Sequence, residues 1–217
     1  MSNVFVNNSI NFWATGGCGS RGGYSFIANA LDEVPRTYHS RAEPVTYTMG
    51  QFEHSQYVPP EFSHFDIVCC IRNPYTRMIS GWLNVVKDGR SDLDSFDDYV
   101  FNSHYTKYAD SDSHYFKFKT GYLPTYVIRM ENQVEDFLKI PQLQQAKETN
   151  PDRWEQLEIR HYKDGNWTGK NENILDKYDS NGHQITNIYF SEETANYVYE
   201  QEKIIFDMGE YNKDSWK

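Results

Sequence analysis

The sequence predicts an α/β domain in three layers, with a central parallel sheet and helices on both faces. Three stretches carry that expectation, because each reads as a strand leading into a helix, the repeating unit of such sheets. They are Ile10–Thr15 with a glycine-rich run and the helical stretch Tyr24–Leu31, Asp66–Ile71 with a helix opened by Pro74, and Thr125–Met130 with a helix over Glu131–Ile140. A length of 217 residues suits a single domain, residues 1–217, with a sizeable core. Hydrophobic content is low at 38%, but aromatics reach 16%, with 17 tyrosines, and large rings bury much area each.

Along the chain, residues 1–9 are polar around Val4-Phe5-Val6 and form an edge strand or a loose tail. Ile10–Thr15 is the first core strand, and Gly16-Gly17-Cys18-Gly19-Ser20-Arg21-Gly22-Gly23 follows it. Strand, glycine-rich loop and helix together present backbone N–H groups and the positive end of a helix dipole to an anion. Val45–Met49 alternates as a second strand does. Asp66–Ile71, DIVCCI, is a continuous apolar run, as in a strand buried on both faces. Pro74 suits the first turn of a helix, where its missing N–H is unpaired anyway. Met78, Ile79, Trp82, Leu83 and Val86 recur at helical spacing behind it. Ser95–Phe101 reads as a short helix, and residues 103–121 as a long loop. Asn150-Pro151 has the pattern of a cap followed by proline at the first helical position. Residues 163–183 are polar and loop-like. Ser191 caps the last helix, with Glu192 and Glu193 in its first turn and Gly209 at its end; Glu202 interrupts its apolar face.

The formal net charge of −10 argues against non-specific nucleic-acid binding, which needs a basic face. A small anionic ligand is compatible with it, because a few convergent arginines and N–H groups act locally. The three cysteines, Cys18, Cys69 and Cys70, include no CxxC pair, so neither a disulfide framework nor a zinc site is expected. A reducing compartment is the default. With no signal-peptide pattern and no apolar run long enough to span a bilayer, a cytoplasmic protein without a membrane partner is expected.

Two loops carry the chemistry. Gly17-x-Gly19-x-x-Gly22 matches a dinucleotide fingerprint on paper, but that motif also needs an acidic residue at the end of the next strand, and Glu43 precedes that strand. A Walker A loop fails, because no Lys-Ser/Thr pair follows the glycines. The second loop begins at Arg72, a permanent, fork-shaped cation at the carboxyl end of a strand, where open α/β sheets bind ligands.

Arg72-Asn73-Pro74-Tyr75, then Arg77, then Ser80 resembles the 3′-phosphate-binding motif of the sulfotransferases that use 3′-phosphoadenosine 5′-phosphosulfate (PAPS). The resemblance is nearest in pattern to the Golgi-type carbohydrate sulfotransferases. It extends to Tyr-Val-Ile-Arg-Met-Glu-Asn at 126–132 and to the stretch from Tyr199 to Tyr211. It implies a P-loop-like nucleotide-binding fold with PAPS as cosubstrate and no metal. Arg72 and Ser80 would hold the 3′-phosphate. Arg21-Gly22-Gly23-Tyr24-Ser25 is similar to the loop that grips the 5′-phosphosulfate, with Gly19 and Ser20 beside it and Arg21 as the catalytic cation. A second register puts Thr15 at the cation position instead. His54, ahead of Pro59-Pro60, is similar in order to the family's catalytic histidine, and an imidazole titrates in the range a general base needs. Other members use Glu, which brings in Glu53. Lys170 matches a late loop that closes over the nucleotide. His39 and His64 read as surface residues, and Arg129 and Glu131 as structural. The expected partners are PAPS, its product, and a hydroxyl-bearing acceptor: a carbohydrate first, a peptide tyrosine or a small alcohol or phenol after it. The other function classes are a kinase or NAD-dependent oxidoreductase using the glycine loop, and a non-catalytic nucleotide-binding module.

Overall fold

The structure, a computed structural model, describes residues 2–6, 10–14, 20–32, 36–37, 45–46, 64, 66–87, 95–102, 124–163 and 190–217. The chain forms two compact units, each assembled from two stretches of sequence: residues 1–71 with 117–168, and residues 72–116 with 169–217.

The first unit holds a six-stranded sheet. Its strands are β1 (Ser2–Val6), β2 (Ile10–Ala14), β3 (Arg36–Thr37), β4 (Val45–Thr46), β5 (Asp66–Ile71) and β6 (Tyr126–Arg129), in the order β4-β3-β1-β2-β5-β6. The expected parallel sheet is one half of it: β2 pairs with β5, and β5 with β6, in parallel. In the other half, β1 pairs with β2, β3 with β1, and β4 with β3, all antiparallel. The connection lengths explain the difference. A parallel pair needs a crossover of roughly a dozen residues or more, whereas Asn7-Asn8-Ser9 alone separates β1 from β2. Residues 2–6 form a strand rather than a loose tail, but not the edge strand expected: β1 lies between β3 and β2 and is paired on both sides.

Helices α1 (Ser20–Ala30), α4 (Gln133–Phe137), α5 (Pro141–Thr149) and α6 (Pro151–Lys163) belong to this unit. Ile10, Phe12, Val68, Cys70 and Ile128 alternate along their strands and so share one face of the sheet, where they meet Phe26, Ile27, Phe137, Leu143 and Trp154. Phe26 stacks on Phe137 and meets Trp154 edge-on, both with ring centroids 5.0 Å apart. Ile67, Cys69 and Ile71 point the other way along β5 and are also buried, as the uninterrupted apolar run requires. The helix expected over Glu131–Ile140 is broken. A 3-10 turn spans Met130–Asn132, α4 ends at Phe137, and Ile140, extended ahead of Pro141, separates it from α5. Asn150 caps α6 by accepting a hydrogen bond from Arg153 N at 3.2 Å, with Pro151 at the first helical position.

The second unit holds α2 (Pro74–Lys87), α3 (Phe96–Asn102) and α7 (Glu192–Gly209). Its core gathers Tyr75, Met78 and Trp82 of α2, Phe96, Tyr99 and Val100 of α3, Phe190, and Ala195, Val198 and Phe206 of α7. Ser191 caps α7 by accepting from Thr194 N at 3.1 Å. Gly209 closes the helix, but the left-handed residue is the next one, Glu210, at φ 54°. No helix among the described residues is long and apolar enough to cross a membrane.

Candidate functional site

The two loops singled out in the sequence fall in different units. In the first unit, Ala14 at the end of β2 pairs with Cys70 near the end of β5, so both strands finish at the same edge of the parallel half-sheet. The chain re-emerges after β2 as α1, which begins at Ser20 rather than at Tyr24. Arg21, Gly22 and Gly23 are therefore helical, and Tyr24 and Ser25 lie beyond the first turn. The Ser20–Gly23 part of the expected glycine-rich loop is thus corrected to a helix. Two glycines in a helix oppose intrinsic propensity, and packing supplies the reason for Gly23. A Cβ there would stand 2.7 Å from Gln133 Nε2 and 2.8 Å from Phe12 Cζ. Gln133 is buried, and its Nε2 donates to Cys70 Sγ at 3.6 Å, so α1 lies close against β2 and α4. The first-turn N–H groups at Ser20–Gly22 belong to the set that no intrahelical acceptor satisfies, and they carry the positive end of the dipole.

Gly19, His54, Glu53 and Lys170 lie outside the described residues, as do Thr15 and the side chains of Ser20, Arg21, Tyr24 and Ser25. His39, His104, His114 and Lys117 also lie outside them, whereas His64 is exposed.

In the second unit, Arg72 is the residue that follows β5, and its side chain is 8% exposed. Its Nε donates to Thr76 Oγ1 at 3.0 Å, which fixes the guanidinium against the first turn of α2. Thr76 Oγ1 in turn donates to the Asn73 carbonyl at 3.1 Å. Asn73 Oδ1 accepts from Tyr75 N at 3.0 Å and so caps the helix at the step before Pro74. Thr76 and Ser80 stand four residues apart in α2, the spacing that keeps residues on one helix face, and Arg72 meets that face through its bond to Thr76. Ser80 is half-buried.

The second arginine of the motif does something else. Arg77 is buried and ion-paired with Glu202 of α7, itself wholly buried. Sequence reasoning missed this pair. Its one signal was a carboxylate on the otherwise apolar face of α7, a position that has to find a cation. Tyr75 is a core residue, edge-on to Phe190 and to Phe206 with centroids 5.1 Å apart in both cases. Burial, with the charges of Asp214 and Tyr199 adding to it, pushes its hydroxyl up to about 12, so it remains a neutral donor. Arg129 forks onto Asp136 through Nε and Nη2, both at 3.0 Å, while its backbone N–H donates to the same carboxylate at 2.8 Å. That is the structural role its position in the sequence implied.

The arrangement supplies a fixed, largely buried guanidinium with hydroxyls on the same helix face, and separately a helix N-terminus behind a glycine run. Both are anion-binding chemistries. Comparison with models of protein families, with curated proteins and with solved structures finds no match to this chain.

Proposed function

We propose that the protein is a PAPS-dependent sulfotransferase, which moves the sulfuryl group to an acceptor hydroxyl, a carbohydrate before a peptide tyrosine or a small alcohol or phenol. The observation that carries the reading is Arg72. It directly follows the buried parallel strand β5, its guanidinium is tied at Nε to Thr76, and Ser80 lies one helical step beyond Thr76. A doubly phosphorylated adenosine suits this donor set. Arg72 and Ser80 would hold the 3′-phosphate of PAPS. His54 or Glu53 would take the acceptor's proton as its oxygen attacks sulfur, the S–O bond to the phosphate breaks, and 3′,5′-ADP leaves. Positioning and electrostatics supply most of the rate in the related chemistry of phosphoryl transfer. A cytoplasmic location belongs to the same proposal.

Calorimetric titration with 3′,5′-ADP, 5′-AMP, NAD and ATP tests the reading. The chain should prefer 3′,5′-ADP, and Arg72→Ala should weaken that ligand by about 10- to 100-fold, the value of a charge-assisted contact. In a sulfate-transfer assay, His54→Ala should lower turnover while leaving nucleotide affinity in place. Equal affinity of the wild-type chain for 3′,5′-ADP and 5′-AMP would sink the assignment.

A further inference from the structure

Local hydrogen bonds within residues 72–77 shape the turn that carries Arg72. Such bonds set the turn's form but do not hold it in place on the rest of the unit. Bonds from far along the chain do, among them one from Tyr75 OH to the Ala195 carbonyl at 3.4 Å and two to the segment after α7. Asn73 Nδ2 donates to Ser215 Oγ at 2.9 Å, across 142 positions of sequence. Tyr75 OH donates to the Lys213 carbonyl at 2.7 Å, across 138 positions. Asn73 is thus shared: its oxygen caps α2 and its nitrogen reaches the far segment.

The segment Asn212–Lys217 is stitched to itself. Asn212 Oδ1 accepts from Asp214 N at 2.9 Å, Ser215 N donates to Asn212 O at 3.0 Å, and Lys217 N donates to Asp214 O at 3.1 Å. Lys217 Nζ pairs with Asp214 at 3.0 Å and sits 5.5 Å above the Trp216 ring. Asn212 to Ser215 are exposed, and Tyr211 and Trp216 on either side of them are partly buried against the core of the unit. What this segment does is grip the first turn of α2 from outside.

We propose that Asn212–Lys217 is a strap whose Ser215 hydroxyl and Lys213 carbonyl act as positioning groups for Arg72 at the 3′-phosphate. This inference rests on the sulfotransferase reading. A turn held at Asn73 and Tyr75 keeps Thr76 Oγ1 in place, and Thr76 Oγ1 holds Arg72 Nε. Loosening the strap therefore affects the ligand's 3′-phosphate and spares the rest of the nucleotide.

The test is calorimetry on the full chain with 3′,5′-ADP and with 5′-AMP. Ser215→Ala should weaken 3′,5′-ADP by about three- to tenfold, the worth of one ordinary hydrogen bond. It should leave 5′-AMP within about twofold, since that ligand has no 3′-phosphate for Arg72 to hold. Ser215→Thr, which restores the acceptor, should recover the loss. Tyr75→Phe should reproduce it, and its midpoint of unfolding shows that the variant is folded. A loss shared equally by both nucleotides would make the strap merely structural and overturn the proposal. So would a Ser215→Ala chain as discriminating as the wild type. A wild-type chain that does not discriminate at all would instead remove the sulfotransferase reading, and with it this use of the strap.

Discussion

At the scale of single residues, two charged clusters dominate, and each makes a prediction. Arg77 and Glu202 are 3% and 0% exposed, so neither charge is solvated by bulk water and each depends on the other. Glu202→Gln should therefore cost about 3–5 kcal/mol in urea unfolding, because it takes the carboxylate charge away from a buried guanidinium. The double variant Arg77→Met with Glu202→Leu should recover most of that loss, since replacing both partners removes the desolvation along with the attraction. A double variant as unstable as the single one would mean that the pair gives net stability of its own. Asp136 is the second case. Burial raises its pKa, but hydrogen bonds from the Arg129 side chain, from Lys139 and from the Arg129 backbone outweigh that and hold the carboxyl below its reference of 3.8. A lowered folded pKa means that this stabilisation is complete above the unfolded value and drains away as pH falls through the folded one. Asp136→Asn should thus cost about 3 kcal/mol at pH 6. The gap between variant and wild type should narrow as both are unfolded in progressively more acid buffer. A gap that stays constant down to pH 2 would show that the charge on Asp136 is not the source.

At the scale of elements, α1 shows packing winning over propensity. Replacing a helical glycine with alanine ordinarily gains about 1 kcal/mol. At Gly23 the new methyl would meet Gln133 Nε2 and Phe12 Cζ, both under 3.0 Å. The amide tip belongs to a flexible side chain but is held by Cys70, and the ring is fixed in the core. Overpacking of this kind costs about 1–3 kcal/mol, so Gly23→Ala should lower the melting temperature, and adding Phe12→Leu should restore part of it. A more stable Gly23→Ala chain would mean that α1 moves away from the sheet at little cost. The same helix marks what was legible in the sequence. Periodicity and punctuation found β2, β5, β6, α2 and α7 with their caps, because those signals are local. They put the start of α1 four residues late, because glycines read as a loop until Phe12 and Gln133 are known to stand behind them. They joined the 3-10 turn and α4 into one helix, because the break is made by Arg129 turning back onto Asp136. They read the parallel strands and a strand from Val45, where β4 begins, and left β3 unread, since two residues carry no pattern. The Arg72 turn was visible as a motif, but the use of Asn73 and Tyr75 by residues 213–215 was not, since nothing local in either stretch announces the other.

At the scale of the whole molecule, charge sets the last prediction. A net charge of −10 surrounds the chain with a field that repels a multiply anionic nucleotide, whereas on the proposed reading Arg72 would attract it only at short range. Salt separates the two effects. The Debye length is about 30 Å at 0.01 M and about 10 Å at 0.1 M, so added salt first removes the long-range repulsion felt during approach. A cation as buried as Arg72 is screened far less. The association rate of 3′,5′-ADP, followed by stopped flow, should therefore rise between about 10 and 100 mM salt, while the dissociation rate changes little. Proteins that meet their anionic partner through an extended basic face behave in the opposite sense, with affinity falling steeply as salt is added. An association rate that drops with salt would reveal a basic field around the nucleotide strong enough to outweigh the acidic body. The local contact at Arg72 would then no longer suffice as the account of how this chain holds a phosphate.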